Sequence, residues 1–252
     1  MSDHIQIERS GAIVTIRMAR PEKKNALTFD MYRGLTAAIN GAVNDDGIRV
    51  IVLAGAGGAF TSGNDLKDFA ASPPFGMDSP VMQFLHAIST CPTPIVAAVN
   101  GVAVGIGMTM LLHCDLVIAD PDTRFSLPFI NLGLVPEAAS SLILPRTIGH
   151  VRASELLLLG DMFDAATAAR LGLINRVSAP GAAESDAMTL ASTLAAKAPY
   201  ALRLTKALLK RESSDIATRI AEEASEFGAL LRGPEFREAV TAFMEKRAPK
   251  FV

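Results

Sequence analysis

Two stretches of small residues could present backbone N–H groups to a negatively charged oxygen. The first is residues 57–66 (GGAFTSGNDL) and the second is residues 100–109 (NGVAVGIGMT). Each is predicted to follow a strand and to precede a helix, where unpaired N–H groups can bind an anion. Either stretch alone is better explained by glycine's tolerance of positive φ and of close packing. Together they predict an oxyanion hole with two backbone donors, which would stabilise the enolate of a thioester.

The candidate for a catalytic base is Glu137, which is flanked by the apolar residues Val135, Pro136 and Ala138. Burial among such neighbours raises the pKa of a carboxyl group toward the range in which it works as a general base. A helix N-terminus at this position would oppose that shift. The alternative is a structural role in the first turn of a helix, where the dipole stabilises a carboxylate by about 0.3–1 kcal/mol. Taken by themselves, the residues favour the structural role.

Dinucleotide, metal and disulfide chemistry find little support in the spacing of the residues. Gly55-Ala56-Gly57-Gly58 lacks the third glycine of a dinucleotide fingerprint, and Met110 stands where Gly105-Ile106-Gly107 would need one. The histidines are scattered, and Cys91 and Cys114 form no CxxC pair. We therefore expect no metal site and no redox cofactor.

Composition excludes several other classes of function. Half of the 252 residues are hydrophobic, so the chain can bury a large core. The formal net charge of −2 gives no basic surplus for binding nucleic acid. The longest apolar stretch, residues 101–112, is too short to span a membrane. Residues 1–4 show no secretory leader, so we expect a cytoplasmic location and neither a membrane nor a nucleic acid partner.

The elements that must position these residues are predicted to alternate between strands and helices. Alternating apolar and polar residues on both sides of Ser10-Gly11 predict a β-hairpin. Thr28 is placed to cap a helix with apolar residues at helical spacing from Met31 to Val43. The predicted strands are residues 5–9, 12–18, 50–53, 94–99, 116–119 and 174–177. This layout is typical of the α/β class.

Helical periodicity takes over in the last third of the chain. Two earlier helices are predicted at residues 151–159 and between Asp164 and Gly172. The predicted helices of the C-terminal part are residues 183–197, 200–211, 215–231 and 235–246. Their apolar faces are expected to pack on the core or on another copy of the chain, and the sequence alone does not choose between the two.

Three motifs resemble those of the enoyl-CoA hydratase/isomerase family, also called the crotonase family. They are residues 20–27 (RPEKKNAL), 62–66 (SGNDL) and 99–107 (VNGVAVGIG), and the resemblance extends over nearly the whole chain. It implies an α/β fold in which a crotonase-like spiral of ββα units covers residues 1–195. Residues 196–252 would form a helical C-terminal region for trimerisation. A homotrimer or a dimer of trimers is therefore expected.

The resemblance also implies a ligand and the residues that bind it. The substrate would be an acyl-CoA thioester, with CoA as part of the substrate and no other cofactor. The backbone N–H groups of Asn64 and Ile106 would bind the thioester oxygen. Phe243, Lys246 and Arg247 resemble a segment that helps to close over CoA in relatives. Further contacts with the substrate are expected at Lys24, Ala26, Ser62, Asp65, Leu66, Thr109 and Phe129.

Departures from the family pattern decide the predicted reaction. Hydratases of this family carry two glutamates that handle water, and the matching positions here are Thr109 and Phe129. Residues 127–141 are similar instead to the peroxisomal-type Δ3,Δ2-enoyl-CoA isomerases, which use one glutamate at the position of Glu137 as the base. One carboxylate can take a proton from C2 and return it at C4 without a positioned water. The resemblance therefore implies a 3-enoyl-CoA isomerase.

Other interpretations remain open at this point. Enoyl-CoA hydratase is the second choice, because many members of the family have that activity. Ring or dienoyl isomerisation of another acyl-CoA would use the same scaffold. A member that binds acyl-CoA or RNA without catalysis belongs to a different class, and it would require Glu137 to point away from the pocket. The balanced charge disfavours RNA.

Overall fold

The computed structural model describes residues 2–71, 76, 78–210 and 213–251. These residues form two β-sheets, and helices pack on both faces of the larger one. The strands are β1 (Ile5–Ser10), β2 (Ile13–Met18), β3 (Val50–Gly55), β4 (Ile95–Val99), β5 (Val102–Val104), β6 (Leu116–Ala119), β7 (Arg124–Ser126), β8 (Phe163–Asp164) and β9 (Arg176–Val177).

The helices begin and end largely where capping residues allow. Thr28 and Asp164 each accept a hydrogen bond from the backbone N–H three residues further on, and Gly172 ends its helix in the left-handed conformation. These three predicted boundaries are confirmed. The helices are α1 (Phe29–Val43), α2 (Leu66–Ala71), α3 (Pro80–Thr90), α4 (Ile106–Thr109), α5 (Ser140–Ile148), α6 (His150–Leu159), α7 (Ala165–Leu171), α8 (Ala183–Ala195), α9 (Pro199–Leu209), α10 (Ser213–Leu230) and α11 (Pro234–Glu245).

The larger sheet brings both glycine-rich stretches to one edge. Its strand order is β1-β2-β3-β4-β6-β9. β1 and β2 form the predicted antiparallel hairpin, with Ile5 opposite Met18 and Ser10 opposite Ile13. The other neighbouring strands are parallel. Because the carboxyl ends of parallel strands meet at the same edge, the chain leaves β3 and β4 on the same side.

Alternation along the central strands divides the core into two parts. Ile51 and Leu53 of β3 belong to the main core, which α1 and α3 cover. Val50 and Val52 belong to a second cluster on the opposite face. There α8 contributes Ala183, Ala187 and Ala191, which recur every four residues and so lie along one side of the helix. Both faces of the sheet are therefore buried, as is usual for parallel strands.

A smaller sheet joins the two glycine-rich stretches. β5 pairs with β7 in parallel, and β7 pairs with β8 antiparallel. The sequence analysis predicted that the second stretch passes from a turn into a helix, and this was wrong because β5 lies between them. β5 forms because Thr61 of the first stretch provides hydrogen-bond partners for it. Thr61 N–H donates to Val102 O, and Val104 N–H donates to Thr61 O, at 3.0 and 3.1 Å.

The C-terminal helices pack on the core of their own chain. Lys206 of α9 donates hydrogen bonds to Asp115 Oδ2 and to the carbonyl of Thr93, at 2.6 and 2.8 Å. Ile220 of α10 and Phe236 of α11 are buried members of the main core. The domain boundary after residue 195 and the assembly into trimers stay predictions. Among the described helices, none combines the length and the apolar character needed to cross a membrane.

Several boundaries differ from those predicted. The last strand covers only Arg176–Val177, and the predicted end of one helix, Arg211, lies outside the described residues. α3 and α5 were not predicted; Pro145 interrupts the helical pattern of α5. The strands β5, β7 and β8 were also missed, because two or three residues are too few for a periodic signal.

Candidate active site

Two cavities lie beside the glycine-rich stretches, and Asn64 lines both of them. The larger has a volume of about 1040 Å³ and is also lined by Gly63, Gly105 and Ile106. The smaller has a volume of about 450 Å³, and Glu137 is the carboxylic acid among the described residues that line it. Its apolar walls come from α3 and α10, with Val81, Met82, Leu85, Ile220, Ala224 and Phe227.

In the first stretch, the backbone N–H of Asn64 does not pair with the neighbouring segment at Leu27. Leu27 N–H donates to Gly63 O, and Asp65 N–H donates to Leu27 O, at 2.8 and 2.9 Å. Since successive backbone groups of an extended chain point to opposite sides, the N–H of Asn64 points away from Leu27. The side chain of Asn64 is held as well, because its Oδ1 accepts a hydrogen bond from the hydroxyl of Tyr32.

The second stretch presents the N–H of Ile106 at the start of a helix. Gly105 has φ +55° and ψ −120°, a conformation that side chains disfavour. Its own N–H is fixed by a 2.9 Å hydrogen bond to Ser126 O. Ile106 is the first residue of α4, so its N–H has no acceptor within the helix. This donor and the Asn64 N–H belong to residues that line the same cavity.

Glycines allow the two stretches to approach each other closely. A Cβ atom on Gly107 would lie 2.6 Å from the side chain of Thr61 and 2.9 Å from its carbonyl oxygen. Gly63 has φ +96°, and a Cβ there would lie 2.9 Å from Val104 O. Thr61 cannot yield easily, because its hydroxyl donates to Asn25 O at 2.7 Å. The distance between the two candidate N–H donors therefore depends on glycine, which has no side chain, at positions 63 and 107.

Glu137 lies on a turn with unusual backbone geometry, and it precedes α5 instead of occupying its first helical turn. Ala138 and Ala139 have φ values of +60° and +57°, in the left-handed region that costs non-glycine residues about 1–2 kcal/mol each. The turn is held from several sides. Ser140 Oγ donates to Glu137 O at 2.6 Å, and the His113 ring Nε2 lies 2.8 Å from Ala138 O.

The environment of Glu137 favours its protonated form near neutral pH. Burial raises the pKa of Glu137 to about 8, the hydrogen bond from the Thr109 hydroxyl lowers it, and the charge of Glu223 raises it. Burial also lowers the pKa of His113 to about 4. The neutral imidazole therefore donates its Nε2–H to Ala138 O. A carboxyl group with a pKa near 8 can both accept and return a proton at physiological pH.

The predicted contacts with the substrate fall into two groups. Ala26, Ser62, Asp65, Leu66 and Phe129 line the larger cavity. Asp65 has structural contacts too, since its carboxylate caps α2 and accepts a 2.8 Å hydrogen bond from the guanidinium of Arg20. The aromatic ring of Phe129 packs edge-on against Phe227 at a centroid distance of 6.5 Å.

Two of the residues predicted to contact the substrate, Lys24 and Thr109, line neither cavity. The larger cavity is lined by Lys23 and not by Lys24, because Lys24 ends a short turn in the left-handed conformation and reverses the chain. Thr109 lines neither cavity and is fully buried, with its hydroxyl bound to Glu137. Of the C-terminal residues, Phe243 lines the larger cavity of its own chain, whereas Arg247 forms ion pairs with Glu238 and Glu245.

Three residues near Glu137 were missed by the sequence analysis: Tyr32, His113 and Glu223. A signal existed for Glu223, because it lies between Ile220 and Phe227 on the apolar face of α10, where a charged residue is unusual. Tyr32 likewise follows Met31 on the buried side of α1. His113 carried no signal beyond its type. Within the described ranges, no group of three or more His, Cys, Asp or Glu side chains could hold a metal ion.

The arrangement has the parts for proton abstraction next to a carbonyl group. A carboxyl group with a pKa near neutrality lies beside an apolar cavity, and two backbone donors line the adjoining one. Such donors stabilise an oxyanion because they are fixed in place before the reaction. The two cavities share Asn64, Phe69 and Phe227 as lining residues, so they adjoin each other.

Comparisons with known proteins agree with this chemistry. The family described as enoyl-CoA hydratase/isomerase matches residues 8–252. The chain is 36% identical to a "Putative enoyl-CoA hydratase" of Thermus thermophilus, over 98% of this chain and all of that protein. It is 34% identical to "Enoyl-CoA delta isomerase 2" of Rattus norvegicus, over 98% of this chain and 64% of that one. The structure of Pseudomonas aeruginosa OdaA is similar with a TM-score of 0.94 and 44% identity, over 96% and 99% of the two chains.

Proposed function

Because the chain belongs to the enoyl-CoA hydratase/isomerase family, we propose that it is a 3-enoyl-CoA isomerase that moves the double bond to the 2-trans position. Membership confirms the predicted crotonase-like α/β fold. It also identifies the chain as an enzyme of that family, whose members act on acyl-CoA thioesters. The finer assignment, isomerase over hydratase, rests on the residues of the site.

The observation that carries the proposal is the single carboxyl group in the described wall of the smaller cavity. Hydration needs two groups that position and activate a water molecule. Glu137 stands alone in this wall, and the residues at the positions of the family's two water-handling glutamates are Thr109 and Phe129. Thr109 donates its hydroxyl to Glu137, and Phe129 is packed against Phe227. This environment suits a base that acts without water.

The proposed reaction transfers one proton in two steps. Ionised Glu137 removes a proton from C2 of the 3-enoyl thioester, and the electrons of that C–H bond form a dienolate. The backbone N–H groups of Asn64 and Ile106 donate to its oxygen. Protonated Glu137 then returns the proton at C4, so that the double bond lies between C2 and C3. The donors are aimed at charge that develops only during the reaction, and each contributes about 3–4 kcal/mol to lowering the barrier.

The two cavities suit the two halves of an acyl-CoA. The smaller one offers an apolar space of about 450 Å³ beside Glu137 for the acyl chain. The larger one, of about 1040 Å³, has Lys23 and Lys67 at its border and can accept the CoA moiety. We propose that CoA enters only as part of the substrate and that the reaction uses no other cofactor.

The test is turnover of trans-3-hexenoyl-CoA to its 2-enoyl isomer, measured beside hydration of crotonyl-CoA. We expect the wild type to isomerise and Glu137→Gln to lose about 10³-fold in kcat/KM, because a general base contributes about that much. Glu226→Gln, an exposed glutamate on α10, is the matched control and should keep full activity. Hydration by the wild type that does not depend on Glu137 would exclude the proposal and favour a hydratase with another acid and base.

A further inference from the structure

We infer that Glu223 is a positioning residue for Glu137, acting from the C-terminal helix α10. Its carboxylate is buried between α10 and the turn that carries Glu137. Oε2 accepts a hydrogen bond from Ala139 N–H at 2.6 Å. Oε1 accepts from the N–H and the hydroxyl of Ser141, at 3.0 and 2.5 Å. This inference rests on the proposed role of Glu137 as the base.

Glu223 caps the N-terminus of α5, which has no capping side chain of its own. The residue before α5 is Ala139, whose methyl group cannot cap a helix, so the first N–H groups of α5 need an acceptor from elsewhere. Oε1 of Glu223 accepts from Ser141 in the first turn of α5, and Oε2 accepts from Ala139 just before the helix. Both oxygens act as acceptors, as in an ionised carboxylate, although burial raises the pKa of Glu223. The helix therefore receives its cap from a residue more than 80 positions away in sequence.

The cap also fixes a strained backbone. Ala138 and Ala139 persist at positive φ only because surrounding contacts hold them there. Ser140 and His113 hold the carbonyl groups of Glu137 and Ala138. Glu223 holds the N–H of Ala139. Without Glu223, the peptide group between Ala138 and Ala139 keeps the His113 contact at its carbonyl and loses the contact at its N–H.

The same helix forms a wall of the acyl cavity. Ile220, Ala224 and Phe227, which flank Glu223 on α10, line the smaller cavity together with Glu137. An acyl chain that packs against this wall would therefore contact the element that holds the base. Misplacing a catalytic group by about 1 Å can cost about 100-fold in rate, so this link affects turnover more than binding.

Glu223 influences the charge state of Glu137 as well as its position. The charged and titratable groups around Glu137 come from several elements: Tyr32 of α1, His113 after α4, and Glu223 of α10. Arg219, one turn before Glu223, donates to Ser141 Oγ at 3.1 Å and lies near the same carboxylate. Arg232 also lines the smaller cavity. Of the two carboxylates, only Glu137 lines the cavity.

The experiment compares Glu223→Gln and Glu223→Asp in the full-length enzyme, with Glu226→Gln as the control on the same helix. Glutamine removes the charge and places an N–H group against one of the backbone donors. We expect kcat to fall by about 10- to 100-fold with little change in KM. The acidic limb of the pH profile is the fall in kcat/KM at low pH, where Glu137 becomes protonated. This limb should move to lower pH, because losing a negative neighbour makes Glu137 easier to ionise.

Aspartate keeps the charge and shortens the reach by one methylene group. We expect Glu223→Asp to lower kcat as well, with the acidic limb close to its wild-type position. A purely structural role predicts lower thermal stability in both variants and no movement of the limb in either. A folded Glu223→Gln enzyme with unchanged kcat and an unchanged limb would overturn the inference.

Two further measurements keep the test decisive. If Glu223→Gln does not fold, Ser141→Ala removes one hydrogen bond to Glu223 together with the one that Ser141 Oγ accepts from Arg219. An unchanged kcat in that variant would also overturn the inference. Carboxyl ¹³C NMR, with the Glu137 signal assigned by its loss in Glu137→Gln, reports the Glu137 pKa without any substrate. If Glu137→Gln retains activity, the proposed function fails, whereas the NMR titration still decides whether Glu223 acts on Glu137.

Discussion

The two sides of the candidate site are built in different ways. The oxyanion side consists of two main-chain segments whose donors are set by backbone pairing and by glycines at Gly63, Gly105 and Gly107. The base side is a single carboxyl group on a strained turn, held by side chains from distant elements such as His113 and Glu223. Main-chain donors survive most side-chain changes, whereas a side-chain base depends on each of its neighbours.

This difference predicts which substitutions each side tolerates. On the oxyanion side, adding a Cβ atom between the two segments should do more harm than changing the side chain of a donor residue. On the base side, changing one neighbour should alter both the position and the pKa of Glu137. Three further measurements should separate the two sides, apart from the larger loss of activity expected for Glu137→Gln.

The largest effect is expected for Gly107→Ala. The new Cβ would lie 2.6 Å from the Thr61 side chain, so α4 or the first stretch must shift and the two N–H donors move apart. We expect a loss of about 100-fold in kcat, comparable to losing one oxyanion donor. Steady-state kinetics with trans-3-hexenoyl-CoA is the measurement.

Two control variants sharpen this prediction. Ile106→Val shortens the side chain of a donor residue and keeps its N–H, so kcat should change by less than about threefold. Gly41→Ala adds a Cβ in α1 where nothing lies within 4 Å, and it should be neutral in activity. If Ile106→Val proved as damaging as Gly107→Ala, the main-chain description of this side would be wrong.

An intermediate effect is expected for Glu137→Gln on stability. The native protein keeps the Glu137 proton up to a pH of about 8, whereas the unfolded chain releases it near the ordinary value of 4.5. Wild-type stability should therefore decrease as pH rises through this window, and the variant should not share that decrease. At pH 7–8 we expect the variant to be more stable than the wild type, because it has no carboxyl group whose ionisation favours the unfolded chain.

Urea unfolding at several pH values measures this difference. The gain should vanish below about pH 4.5, where both folded and unfolded wild type are protonated. Glu226→Gln should show no such dependence. Equal stability of Glu137→Gln and wild type at pH 8 would mean that Glu137 is already ionised in the native state.

The smallest effect is expected for Thr109→Val. Valine has a similar shape and removes the hydroxyl that donates to Glu137. Since that hydrogen bond lowers the pKa of Glu137, its loss should raise the pKa further and move the acidic limb of kcat/KM to higher pH. At pH 7 we expect a loss of about tenfold. The control is Thr205→Val, at an exposed threonine of α9. A shift of the acidic limb to lower pH in Thr109→Val would contradict the prediction.

Much of the oxyanion side was predictable from sequence. Strand-like runs followed by glycines predicted two turns, and the hairpin, α1 and the parallel strands lie close to where the patterns indicated. These features depend on local rules, such as period-two alternation, capping and glycine's access to positive φ. Lys23 borders the larger cavity and Lys24 does not, because the conformation of a turn decides which of two adjacent lysines faces it. The contact of Lys24 with the substrate stays a prediction.

The base side was decided by the tertiary structure. The sequence singled out Glu137 by its apolar neighbours, but it offered the first turn of a helix as the alternative and left the direction of the pKa shift open. The fold surrounds it with Thr109, His113 and Glu223, which are distant in sequence and meet only when α4 and α10 close around the turn. Sequence spacing determines which residues share one element, whereas burial and charge at Glu137 depend on which elements pack together, and that is a property of the whole fold.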